Sequence, residues 1–98
     1  MRSISAIAIA ILLLAMPRAH AQTADMSKVT CDDLSHAYVE DLVVIGSWLS
    51  GYYNAKRNNT VVNLKELGTN TQKVLQFCRT NPNVTAMQAV EQVTGAGH

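Results

Sequence analysis

Asp41-Leu42-Val43-Val44-Ile45-Gly46-Ser47-Trp48-Leu49-Ser50-Gly51-Tyr52-Tyr53 is the stretch that decides the fold of this chain. Leu42, Ile45, Leu49 and Tyr52 recur at three- and four-residue spacing, which puts them on one face of a helix. Val43, Val44, Trp48 and Tyr53 widen that stripe beyond what a helix with one solvated face needs, so the helix is expected at the centre of the core. Gly46 and Gly51 each weaken a helix by roughly 1 kcal/mol relative to Ala. They read as positions where another backbone comes close. Lys56, Arg57, Asn58 and Asn59 end the element, the basic pair suiting the negative end of the helix dipole.

Working outward, Thr30 is placed to cap a short first helix over residues 31–38. Asp33, three residues on, makes a capping-box variant, and Asp32 adds favourable charge at the helix N-terminus. On the other side, Asn63 can cap a third helix with Leu64, Leu67, Thr71, Val74, Leu75 and Cys78 on one face. Thr80-Asn81-Pro82 stops it, because a residue before proline is pushed out of helical dihedrals. A fourth helix starts at Asn83 or Thr85, turns Met87, Val90 and Val93 inward and ends at Gly95. Only Thr60-Val61-Val62 looks like a strand. The expected fold is therefore all-α, a small four-helix single domain over residues 30–94, with a flexible arm at 22–29 and a tail at 95–98.

The N-terminal segment has a different purpose. A basic start at Arg2, an apolar run from Ile4 to Met16 and the small residues of Ala19-His20-Ala21 make residues 1–21 a cleavable signal peptide, too short in its apolar part to span a bilayer. Cleavage before Gln22 removes Arg2 and Arg18 and leaves six basic against seven acidic side chains. That balance argues against nucleic acid as a partner, and no stable membrane association is expected. An exported domain this small is marginal on its core alone. Its two cysteines, Cys31 and Cys78, most simply form a disulfide.

Little in the sequence suggests catalysis. There is no Cys-x-x-Cys pair, no histidine spaced as a metal co-ligand, no Ser-His-Asp set, no glycine-rich phosphate loop and no His-Glu-x-x-His. The expectation is a non-enzymatic protein with no cofactor and no metal. Carboxylates do cluster: Asp32, Asp33, Glu40 and Asp41 lie within ten positions. They are either a solvated face with helix caps or an acid trigger. In the second case, a carboxylate stabilised in the fold contributes stability above its unfolded pKa, and the contribution is lost as pH falls. At about pH 2 the mature chain would carry roughly +9, and self-repulsion would oppose compactness.

The order Thr30-Cys31-Asp32-Asp33-Leu34, then Trp48-Leu49-Ser50-Gly51-Tyr52, then Cys78-Arg79-Thr80-Asn81-Pro82 and Ala89-Val90 resembles the HdeA/HdeB family of periplasmic acid-stress chaperones. The resemblance implies a bridge from the first helix region to the third and a homodimer at neutral pH. It also implies an ATP-independent holdase that acid loosens, exposing apolar surface that keeps acid-denatured periplasmic proteins in solution. Val43, Val44, Ile45, Trp48, Leu49 and Tyr52 are then candidates for a dimer face that becomes a client-binding face, or alternatively plain monomer core. Leu34 stands where many members have Phe. Thr94-Gly95-Ala96-Gly97-His98 lacks the lysine-rich tail, which places the likeness on the HdeB-like side. Two other readings remain: an envelope interaction or structural protein of the same fold without acid activation, and a small-ligand carrier with a pocket near Trp48 and Tyr52.

Overall fold

A computed structural model describes residues 23–97. The signal-peptide and cleavage-site residues 1–21 lie outside the described residues, as does His98. Four helices are present among the described residues: α1 (Cys31–His36), α2 (Val39–Lys56), α3 (Leu64–Thr80) and α4 (Ala86–Thr94). The all-α expectation holds, and Thr60-Val61-Val62 is not a strand.

Local chemistry sets each helix end. The first backbone N–H groups of a helix have no partner inside it. In α1 the Cys31 N–H donates to the Val84 carbonyl at 2.7 Å and the Asp32 N–H to the Pro82 carbonyl at 3.0 Å. The Asp33 N–H donates to Thr30 Oγ1 at 3.1 Å. The Asp33 carboxylate in turn accepts from the Thr30 N–H, closing the expected capping box. Helix α4 starts the same way: Ala86 N–H donates to the Val29 carbonyl at 2.8 Å, and Thr85 and Gln88 form a second capping box. Thr30 and Thr85 thus pair in an isolated antiparallel bridge that starts α1 and α4 side by side. Val29, in the segment expected to be an arm, is part of this junction, and residues 25–28 form a turn closed by Lys28 N–H on the Asp25 carbonyl. We expect Thr85→Ala to lower stability by about 1 kcal/mol through loss of the cap, read as a lower urea midpoint with an unchanged slope.

One helix end differs from expectation. Helix α1 stops at His36, because Ala37 and Tyr38 are extended, and Tyr38 then precedes α2 without a side-chain cap. Asn63 caps α3 by accepting from the Glu66 N–H at 3.0 Å, as expected. Gly95 closes α4 in the left-handed region at φ 73°, where its N–H reaches the Glu91 carbonyl, a conformation costly for any residue with a Cβ.

Helices α1, α3 and α4 pack on one another, and the Cys31–Cys78 disulfide joins α1 to α3 inside that unit. The buried core is Cys31, Leu34, Leu49, Tyr53, Val74, Cys78, Ala86, Ala89 and Ala96. Small side chains dominate the α4 side of it. The expected inward residues Met87, Val90 and Val93 lie at its half-buried margin, while Ala86 and Ala89 are fully buried. Leu64, placed on the inner face of α3 by periodicity, is instead 78 % exposed, because the first turns of α3 run past the core. Gly46 and Gly51 also depart from the reading: among the described residues a Cβ on either would meet nothing within 4 Å, so no described backbone crosses α2 there.

Candidate functional site

Helix α2 is where surface and core meet. Leu49 and Tyr53 are buried, and Leu42, Ile45 and Tyr52 pack against the core from its edge. These residues attach α2 to the unit of α1, α3 and α4. Elsewhere on the helix Val39, Val43 and Val44 are each more than 60 % exposed, and Trp48 is 42 % exposed. Single exposed apolar side chains are ordinary; a run of them on one helix points to an interaction surface.

The six apolar residues singled out from sequence therefore fall into three settings. Val43, Val44 and Trp48 face solvent, Ile45 and Tyr52 are half-buried, and Leu49 is core. Trp48 stacks on Tyr52 with ring centroids 5.1 Å apart and an interplanar angle of 13°, and Tyr52 meets Tyr53 edge-on at 5.1 Å. Lys56 Nζ lies 5.0 Å from the centre of the Tyr52 ring, a cation–π contact at the C-terminal end of this aromatic row.

Beside that row is a cleft of about 650 Å³ between α2, the connection at residues 57–63 and α3. Leu42, Ile45 and Leu49 form one wall and Leu67, Val74 and Leu75 the other, with Val61 and Val62 from the connection at the rim. Arg57, Asn59, Asn63 and Glu66 add a polar edge. Sequence periodicity had assigned Leu67, Val74 and Leu75 to a core-facing stripe. The cleft exists because α2 and the start of α3 do not close on each other.

The four clustered carboxylates sit at helix starts. Asp32 and Asp33 are in the first turn of α1, and Glu40 and Asp41 in the first turn of α2, where the helix dipole favours negative charge. Asp33 is held by its capping box, and Asp32 lies 3.4 Å from the His36 ring in an exposed pair. Glu40 and Asp41 have no side-chain hydrogen bond or ion pair among the described residues. A fifth carboxylate was not singled out: the Ser27 hydroxyl, and then its N–H, hold the exposed Asp25 carboxyl below the ordinary value. A depressed carboxyl contributes above its unfolded pKa and loses that contribution as pH falls. Here the loss concerns a solvent-exposed turn.

One polar contact was invisible to sequence reasoning. The Tyr53 hydroxyl, beneath the aromatic row, lies 2.9 Å from Glu91 Oε1 and 3.2 Å from the Met87 carbonyl. Burial first, and the Glu91 hydrogen bond second, raise the Tyr53 phenol well above its ordinary pKa. It therefore stays protonated, and a donor, at all acidic and neutral pH.

No described helix is long and apolar enough to cross a membrane, and no described group of His, Cys, Asp and Glu could hold a metal ion. No curated protein matches the chain, and no solved structure does. The model of the HdeA/HdeB family matches residues 3–88, which include both cysteines, all of α2 and the walls of the cleft on α2 and α3. With that match across most of its length, the chain belongs to the HdeA/HdeB family.

Proposed function

We propose that this chain is an acid-activated, ATP-independent holdase chaperone of the bacterial periplasm, exported by cleavage of residues 1–21. Membership of a family of acid-stress periplasmic chaperones supports the setting. The observation that carries the reading is the divided character of α2: an exposed apolar strip at Val39, Val43, Val44 and Trp48, and an anchored face at Leu49 and Tyr53 beside an open cleft. At neutral pH the strip is covered by a second copy of the chain in a homodimer. In acid the dimer separates, α2 loosens, and the strip and the cleft walls hold unfolded clients by apolar contact. Asp32, Asp33, Glu40 and Asp41 assist by losing their charge at the helix starts.

The mature protein is expected to suppress aggregation of a model client at pH 2 to 3 and to be inactive at pH 7. Val44→Ser removes an apolar group from the exposed strip and leaves the core untouched. It is expected to fold normally, while weakening both the dimer, by sedimentation, and client holding, by light scattering. Clients that precipitate equally with and without the protein from pH 2 to 5 would overturn the proposal. An unchanged dimer and unchanged near-ultraviolet dichroism over the same range would favour a structural envelope protein instead.

A further inference from the structure

Among the described residues, the Tyr53 hydroxyl makes the only hydrogen bonds from α2 to another helix. It has one proton and two acceptors within reach, and the nearer is the Glu91 carboxylate. Hydrogen bonds to an ionised acceptor are roughly twice as strong as neutral ones. Tyr53 itself is 3 % exposed, so its hydroxyl is turned to these partners rather than to bulk solvent. Glu91 is half-buried on α4, with the tail folded over it: a Cβ on Gly97 would stand 3.2 Å from Glu91 Cγ and Oε1.

The charged surroundings of Glu91 are sparse. On its own helix the neighbouring polar side chains, Gln88 and Gln92, are neutral. From α2 the titratable neighbours are Tyr53, Tyr52 and Lys56, whose Nζ lies 6.0 Å from the centre of the Tyr53 ring. Asp32, Asp33 and His36 on α1, and Lys65, Glu66, Lys73 and Arg79 on α3, form no ion pair with it; among the described residues no cationic nitrogen lies within 4.0 Å of its carboxylate. His98 follows Gly97 in sequence. Glu91 also lies beyond residues 3–88, the part of the chain that matches the family.

We infer that Glu91 is an acid-sensitive latch: ionised, it holds Tyr53 and with it α2 on the unit of α1, α3 and α4, and protonated, it lets α2 swing out and open the cleft. This deepens the acid-activated reading and rests on it. Protonation leaves no polar group without a partner, because the new carboxyl O–H can donate to the Tyr53 oxygen while Tyr53 donates to the Met87 carbonyl. What disappears is the charge assistance. The latch therefore loosens and re-forms without trapping a buried unpaired group, as a reversible device requires.

The test uses the mature chain with its disulfide intact, titrated from pH 7 to 2 with Trp48 emission as the reporter of α2. Glu91→Gln keeps the shape and an acceptor oxygen but never ionises. At pH 7 it is expected to show about a fivefold higher ratio of open to closed molecules than the wild type, and a smaller acid transition. Tyr53→Phe added to Glu91→Gln should change the transition little further, whereas His98→Ala alone should leave it as in the wild type. Glu91→Gln superimposing on the wild type in midpoint and amplitude would overturn the latch even where acid-dependent holding persists. A wild type with neither transition nor holding down to pH 2 would instead overturn the chaperone reading itself. Hydrogen exchange on the wild type gives a second reading that needs no variant: α2 amides should lose protection at a higher pH than those of α1, α3 and α4, and simultaneous loss in all four overturns the latch.

Discussion

Cys31→Ser is expected to cost about 4 kcal/mol of stability in the chain-entropy model of disulfides, and to abolish recovery after an acid pulse. The bridge spans a sequence separation of 47, and both cysteines are essentially inaccessible, at 0 % and 1 % exposure. Cutting it frees a long loop in the denatured ensemble and leaves a hydroxyl and a thiol among apolar neighbours, a second cost in the same direction. A domain of this size has only a few kcal/mol in reserve. The variant should therefore be largely unfolded in modest urea at pH 7. After ten minutes at pH 2 and a return to pH 7, the wild type should regain its far-ultraviolet dichroism and the variant should aggregate. Full recovery of the variant would reduce the bridge to plain stabilisation.

The second large effect is expected at Leu49. It is 5 % exposed, near the middle of α2, and it is the main apolar anchor of that helix other than Tyr53. Leu→Ala in a core costs about 2 to 5 kcal/mol, depending on how far the site relaxes. Leu49 also lines the cleft, so water can enter the space left behind, which points to the lower part of that range. The more telling outcome is functional. With its anchor shortened, α2 should separate at neutral pH while the stapled unit of α1, α3 and α4 stays folded, and Leu49→Ala should hold clients at pH 7. A variant that is destabilised in urea yet inactive at pH 7 would show that detachment of α2 is not what creates the client surface.

What could be read from the sequence was local. Thr30, Asn63, Thr85, Pro82 and Gly95 mark helix ends correctly because a cap acts within about three residues of itself. The disulfide was legible because two cysteines in a domain read as exported leave one pairing. Depth was not legible: periodicity puts Leu64 on the same face as Val74, but it does not say that the core ends before the first turns of α3. The glycines misled for a related reason. A helix-weakening residue suggests a close neighbour, and the described residues supply none at Gly46 or Gly51. The partners of Tyr53 lie 34 and 38 positions away, with no spacing rule to connect them. At the candidate site, the apolar character of α2 was plain. Its division into strip, margin and anchor emerged only with the packing of α1, α3 and α4.

The position of the bridge relative to α2 has a further consequence. Cys31 precedes α2 and Cys78 follows it, so the whole helix lies within a covalent ring whose fixed point is the α1 and α3 junction. A detached α2 cannot diffuse away, and its effective concentration at its own seat stays on the order of millimolar. Any client bound to the exposed walls of the cleft therefore faces a permanent intramolecular competitor for the same surface. On the proposed mechanism the competitor is weak in acid and the client wins. On the same mechanism, a rise in pH lets the ring return α2 to its seat and displace the client into solution, with no energy input beyond deprotonation of the carboxylates.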